Sequence, residues 1–171
     1  LFEISQRNVK KDVTQINPVI KDAMDMLQKA ANQKEGLSGT RTGFDALDKI
    51  TSGWQNSDLI IIAARPAMGK TAFVLSMAKN MAVNHNVPVA LFSLEMSNVQ
   101  LVNRLIVNVC EIPGEKIKSG RLESYEWEQL DFKIKELYDA PIYVDDTPSL
   151  SVFELRTKAR RLVREHGVRC I

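Results

Sequence analysis

Ten residues at positions 63–72, AARPAMGKTA, have the types and order needed to hold a phosphate. The pattern G-x-x-x-x-G-K-[ST], set between a strand and a helix, wraps backbone N–H groups around an anion. Ala64 stands at the first glycine position, Arg65, Pro66, Ala67 and Met68 fill the turn, and Gly69, Lys70, Thr71 and Ala72 open the helix. Gly69 is the demanding position, because successive N–H groups turn inward only if the backbone can enter conformations that a side chain disfavours. The first position needs only a small residue, and Ala64 serves there if its φ stays negative. Lys70 would meet the outer phosphates as a point charge, and Thr71 would offer its hydroxyl to a magnesium ion. The first turn of the helix aims its positive end at the same place. A strand-to-helix turn with an incidental lysine would share the pattern, but the flanking segments favour a bound nucleoside triphosphate.

Binding is not hydrolysis, which needs a positioned water and neutralised charge. Glu95, in FSLEMS at 92–97, follows the second predicted strand. In an open parallel sheet that end is the ligand edge, the same edge that carries the phosphate loop. A carboxylate there could orient or deprotonate water. An exposed glutamate at a strand end would look the same.

The elements that must position these residues are read from hydrophobic spacing. LIIIA at 59–63 is a continuous apolar run, expected as a strand covered on both faces. A helix follows over 71–81 with Phe73, Val74, Met77 and Ala78 inward. The next strand covers 89–94, and a helix from Ser97 carries Leu101, Val102, Leu105, Ile106 and Val109. Trp127, Leu130, Ile134 and Leu137 mark another helix, and 142–144 a third strand. Ser151 and Glu154 form a capping box for a helix with Val152, Leu155, Ala159 and Leu162 on one face. Gly167 ends it, with His166 at the helix end, and 168–171 begin a fourth strand. Strands alternating with helices predict βαβ units and a mostly parallel sheet between helices.

Ahead of this region the chain differs in character. Residues 1–16 are polar and irregular. Asn17-Pro18 then starts a helix whose apolar residues, Ile20, Ala23, Met24, Leu27, Ala30 and Ala31, form one narrow stripe. A polar breaker at 32–36 follows. A narrow stripe on a tethered helix suits docking in a groove of another subunit, and packing on its own domain is the alternative.

The totals set limits. One core fits in 171 residues, with 44% hydrophobic and 26% charged, ordinary for a soluble domain. A net charge of +2 is too small to imply a nucleic-acid or membrane partner on its own. No apolar run approaches a membrane span, and no signal peptide is expected from these residues. Cys110 and Cys170 lack CxxC spacing and sit among apolar neighbours, as expected for buried thiols in a reducing cytoplasm. His85 and His166 belong to no ligand-spaced cluster. A chain that opens on Leu1 and stops on Ile171 within an apolar run is expected to be a piece of a longer protein.

AARPAMGKT and FSLEMS, preceded by RTGFDALDKITSGW at 41–54 and followed by VDDTPSLSVFELRTKARRL at 144–162, closely resemble the ATPase domain of bacterial replicative helicases of the DnaB family. That family also carries Ala-Arg-Pro ahead of Met-Gly-Lys-Thr, so the missing glycine is a family trait. The resemblance covers 40–171, and residues 1–35 are similar to the family's inter-domain linker and linker helix. It implies a linker unit over 1–36 and the N-terminal part of a RecA-like P-loop domain over 37–171. It further implies a homohexameric ring that uses ATP and Mg2+ to move along single-stranded DNA in the cytoplasm, with a primase and a helicase loader as partners.

Carried over by position, Lys70 and Thr71 are the phosphate and magnesium residues, and Glu95 is the catalytic glutamate. Arg104 in the following helix is the nucleotide-contacting arginine, although an exposed arginine on an amphipathic helix would also stand there. The resemblance places the magnesium-holding aspartate, the DNA-contacting loops and the arginine finger beyond Ile171. A RecA-fold recombinase or repair ATPase would share the loop and the glutamate but not the segments at 41–54 and 144–162. A non-catalytic oligomerisation or loader-docking module is the rival of another class.

A basic stretch remains. Arg156, Lys158, Arg160, Arg161, Arg164 and Arg169, set against Glu165, leave the rest of the chain net negative. Arg156, Arg160 and Arg164 share a helical face. A phosphate-tracking surface, a solvated face and a subunit boundary would all show it, and no aromatic is interleaved for base stacking.

Overall fold

A computed structural model describes residues 15–31 and 37–171. The chain divides after Ser38 into two units. The irregular segment expected ahead of Gln15 and the breaker at 32–36 lie outside the described residues. In the first unit, helix α1 (Ile16–Ala31) starts one residue before Asn17. Proline is tolerated in that first turn, where its missing N–H has no helical partner. Along α1, Ile16, Ile20, Met24 and Leu27 are each at least half exposed.

The second unit opens with an antiparallel bridge between Thr40 and Trp54 that closes off a short helix, α2 (Asp45–Thr51). Helix α3 (Lys70–Lys79) runs into a π-helical turn (Asn80–Asn84) and then strand β1 (Val89–Phe92). Helix α4 (Asn98–Cys110) follows, capped by Ser97 and Gln100 in a reciprocal pair of hydrogen bonds. Short helices α5 (Gly114–Ser119), α6 (Ser124–Lys133) and α7 (Lys135–Tyr138) lead to strand β2 (Ile142–Asp145). The Ser151–Glu154 capping box forms as expected and starts helix α8 (Val152–His166). Gly167, at φ 65°, ends α8.

Strands β1 and β2 are parallel, with Val89 opposite Ile142 and Phe92 opposite Asp145. On its other flank β1 is bridged in parallel at Val89 by Cys170, within the segment expected as a fourth strand. Helices α3 and α4 pack on the face that bears Leu91 and Val144, where Leu75, Leu101 and Leu105 are buried together. Met77, Ala78, Met81 and Val89 form a second buried cluster, with Phe44 and Trp54 against it. Helix α8 stands over the opposite face, where Tyr143 stacks on His166 and Asp145 pairs with Lys158. The sheet therefore lies between helices, as the alternation of elements predicted.

Several expectations need correction. LIIIA is not a strand covered on both faces. Residues 58–65 join no ladder among the described residues. Leu59 and Ile61 are 86% and 80% exposed, while Ile60 and Ile62 are less so, at 39% and 37%. The segment is extended and alternates as a one-sided strand would. The flank of β1 away from β2 is met by Cys170 instead, so 58–65 take no place in the sheet. The helix expected over 71–81 stays α-helical only to Lys79, and the wider turn after it lets both Met81 and Ala82 enter the core. The helix expected through Trp127 and Leu137 breaks at Ile134, and Trp127 is half exposed. Val152, expected inward, is exposed at the start of α8.

The Leu75–Leu101–Leu105 contact fixes α3 against α4. Truncation by Leu105→Ala should cost about 2–5 kcal/mol, since the site is enclosed on both helices and cannot collapse freely. A urea midpoint unchanged from wild type would show that this contact does not anchor α3.

Candidate functional site

The loop at 64–69 joins the extended segment to α3, and residues 65–70 are exposed. Ala64 keeps out of the left-handed region, as its place in the pattern requires, while Ala67 (φ 62°) and Gly69 (φ 86°) both enter it. A Cβ on Gly69 would meet nothing within 4 Å, so its glycine is required by backbone conformation and not by space. Left-handed residues on either side of Met68 curl the backbone into the concave form that gathers N–H groups around an anion. Met68 N–H donates to Arg65 O at 3.3 Å, which tightens the turn, and Phe73 N–H donates to Gly69 O at 2.9 Å, which starts the helix. Lys70 Nζ reaches back across the loop to donate to Ala64 O at 3.5 Å. Thr71 is half-buried in the first turn and Ala72 is exposed.

Glu95 is placed by a serine turn at the C-terminal end of β1. Ser93 N–H still bonds Asp145 O at 2.8 Å, and Ser93 Oγ then accepts from Met96 N–H at 2.9 Å. The chain reverses there and leaves Glu95 exposed at the sheet edge. Glu95 and Arg104 line one cavity of about 550 Å³ together with Gln100 and Lys118. The structure thus brings Glu95 and Arg104 together. None of the lining residues of that cavity comes from 65–72.

Among the described residues no three His, Cys, Asp or Glu side chains cluster closely enough to hold a metal. A magnesium ion at Thr71 would therefore take most of its ligands from phosphate oxygens and water, the usual habit of that ion. The donor set fits such an ion only together with a nucleotide.

Further along the edge, Asp145 receives a hydrogen bond from Lys158 Nζ at 2.5 Å and another from Thr147 N–H at 2.9 Å. These bonds, the lysine's first, hold its carboxyl down at a pKa of about 2. Asp146 Oδ2 accepts from Asn98 N–H at 2.8 Å and so ties this edge to the start of α4. Of the basic stretch, Lys158 is thereby engaged, Arg164 pairs with Glu165, and Arg169 donates to Asn56. Arg156, Arg160 and Arg161 are exposed.

Sequence reasoning missed a buried hub in the segment at 41–54. Asp48, 5% exposed, accepts from Thr42 N–H, Thr42 Oγ1 and Gly43 N–H at 2.9, 2.7 and 3.3 Å. The signal lay in the spacing of Phe44, Leu47 and Asp48, which puts a carboxylate at an inward helical position.

A strand-end carboxylate, a glycine-lysine-threonine loop opening a helix, and a parallel sheet between helices define a RecA-like nucleotide-binding domain. The match is direct: a solved ATPase domain superposes with a TM-score of 0.83 at 34% identity, covering 93% of this chain and 56% of that one. A DnaB-like replicative helicase, described with its interactions with primase, gives 0.79 at 33% identity over 99% of this chain and 40% of its own.

Residues 39–171 match the DnaB-like helicase C-terminal domain, and the chain belongs to that family. The replicative DNA helicase DnaB of Geobacillus stearothermophilus is 42% identical over 98% of this chain, and the DnaB of Nostoc sp. is 50% identical over 80%. The chain spans 37% of the first and 16% of the second.

The Asp145–Lys158 pair has a defined pH signature. Because the carboxyl titrates lower in the folded chain than the ordinary value of about 3.9, its stabilisation is complete above that value and is lost as pH falls through about 2. Lys158→Met should therefore lower the urea midpoint at pH 7, and the deficit should shrink as pH falls from about 4 towards 2. A deficit independent of pH would mean that the lysine acts through packing alone.

Proposed function

We propose that this chain is the nucleotide-binding part of an ATP-driven replicative DNA helicase, whose parent assembles as a homohexameric ring on single-stranded DNA. The observation that carries the reading is the left-handed pair Ala67 and Gly69, set immediately before Lys70 and Thr71 at the head of α3. Lys70 already spans the loop to Ala64 O, so a triphosphate entering the loop would exchange that carbonyl for a phosphate oxygen. Arg65 and residues 67–72 supply the N–H groups, Pro66 having none, and Thr71 supplies the hydroxyl for a nucleotide-bound magnesium ion. A magnesium ion adds charge neutralisation on the phosphates when bound.

Glu95 is proposed to orient the attacking water and accept its proton, and Arg104, on the same cavity, to contact the nucleotide. Residues 1–36 are proposed as a linker unit. The stripe of α1 would dock on the neighbouring subunit, which suits the exposure of Ile16, Ile20, Met24 and Leu27. A primase and a loader are proposed partners of the parent, and the cytoplasm its compartment. The solved helicase described with primase supports the first of these.

These 171 residues should bind nucleotide only weakly and should not turn it over. Mg·ATP binding only the folded form should raise the thermal midpoint, and Lys70→Ala should abolish that rise. Steady-state turnover should stay at background with or without single-stranded DNA. Lys70-dependent hydrolysis by this chain would refute its expected inactivity, and a midpoint shift that survives Lys70→Ala would refute the nucleotide site.

A further inference from the structure

The direction of the phosphate loop follows the direction of α3, and one tripeptide, Thr42-Gly43-Phe44, grips α3 at both ends. At the near end the Phe44 ring stacks on Phe73, with centroids 5.0 Å apart and planes 11° from parallel. Phe73 carries the N–H that closes the first helical bond onto Gly69 O. At the far end Asn80 Nδ2 donates to Gly43 O at 3.3 Å. Gly43, at φ 78°, lies so close that a Cβ there would sit 2.3 Å from Asn80 Cβ.

The tripeptide is itself held from beneath. The buried Asp48 carboxylate takes both N–H groups of Thr42 and Gly43 as well as the Thr42 hydroxyl. Thr42 Oγ1 then accepts from Phe44 N–H at 3.1 Å, which pins the residue that presents the ring. A continuous path of contacts therefore runs from Asp48 through Thr42 and Phe44 to Phe73, and from Phe73 to the carbonyl of Gly69. The loop is exposed and the segment before it joins no ladder among the described residues. This path therefore ties the first turn of α3 to the core, in addition to the buried packing of Leu75 and Met77 further along the helix.

We propose that Phe44, fixed by the Thr42–Asp48 pair, is a positioning residue for the phosphate loop, acting through Phe73 to set the direction in which Gly69, Lys70 and Thr71 face. It touches no nucleotide. The proposal rests on residues 65–72 being the triphosphate site, and its test separates the two ideas.

Hydrogen exchange on the 171-residue chain, without nucleotide, reads the brace alone. Phe44→Leu should speed exchange of the Phe73–Ser76 amides severalfold and leave the β1–β2 ladder at wild-type protection. Unchanged exchange at Phe73–Ser76, or equal loosening of both regions, overturns the positioning role. Binding of methylanthraniloyl-ATP with magnesium reads its consequence. Phe44→Leu and Phe73→Leu should each weaken binding about three- to tenfold, the scale of one stacked aromatic pair, and the double variant should lose no more than the worse single. Losses that multiply in the double variant overturn the path through Phe73. Thr42→Ser, which keeps the hydroxyl, should bind as wild type, whereas Thr42→Val should behave like Phe44→Leu. Equal binding by wild type and Lys70→Ala would reject the site and leave the exchange result to decide the brace.

Discussion

The backbone of Val89–Phe92 is hydrogen-bonded along both flanks, and the arrangement of the second unit follows from that. On one side Val89 N–H meets Pro141 O and Ser93 N–H meets Asp145 O; on the other Ala90 N–H meets Cys170 O and Arg169 N–H meets Pro88 O. Where the strand is paired on both flanks its side chains are buried, Val89 and Ala90 at 2% and 1% exposure, while Leu91 and Phe92 beyond the Cys170 bridge are partly buried. Its alternating side chains then assign the helices. α3 and α4 cover one face and α8 covers the other, which leaves the C-terminal ends of both strands free to carry Glu95, Asp145 and Asp146.

The same constraint explains the contrast at the phosphate loop. Residues 58–65 have the composition of a buried strand, yet among the described residues no strand pairs with them. Ile60 and Ile62, at 39% and 37%, are less exposed than Leu59 and Ile61, at 86% and 80%. The loop that follows therefore owes its geometry to its own left-handed residues and to α3. Attachment through a helix, instead of a ladder, leaves the groups of this loop sensitive to small changes in how that helix is seated.

Much of this is legible in the residues alone. Gly69-Lys70-Thr71 announces the loop because few other sequences let a chain turn that tightly into a helix. Ser97, Ser151 and Gly167 mark helix ends through chemistry confined to neighbouring residues. Long-range pairing is less readable. LIIIA looks the same whether or not a ladder receives it, and nothing local to Ile134 predicts that a helix with the right spacing will break there. The Asp48 hub is also easily overlooked. A carboxylate in a helical pattern normally reads as a solvated face, and only the inward phase of Leu47 and Asp48 distinguishes it.

The two cysteines carry a practical consequence. Cys110 is wholly buried and Cys170 partly so, and desolvation pushes both thiols above their ordinary pKa. Near neutral pH both stay protonated, the form that reacts poorly with electrophiles. A maleimide dye would therefore favour an engineered surface cysteine over either native one. The native sequence thus offers a quiet background for fluorophores that follow the loop in solution.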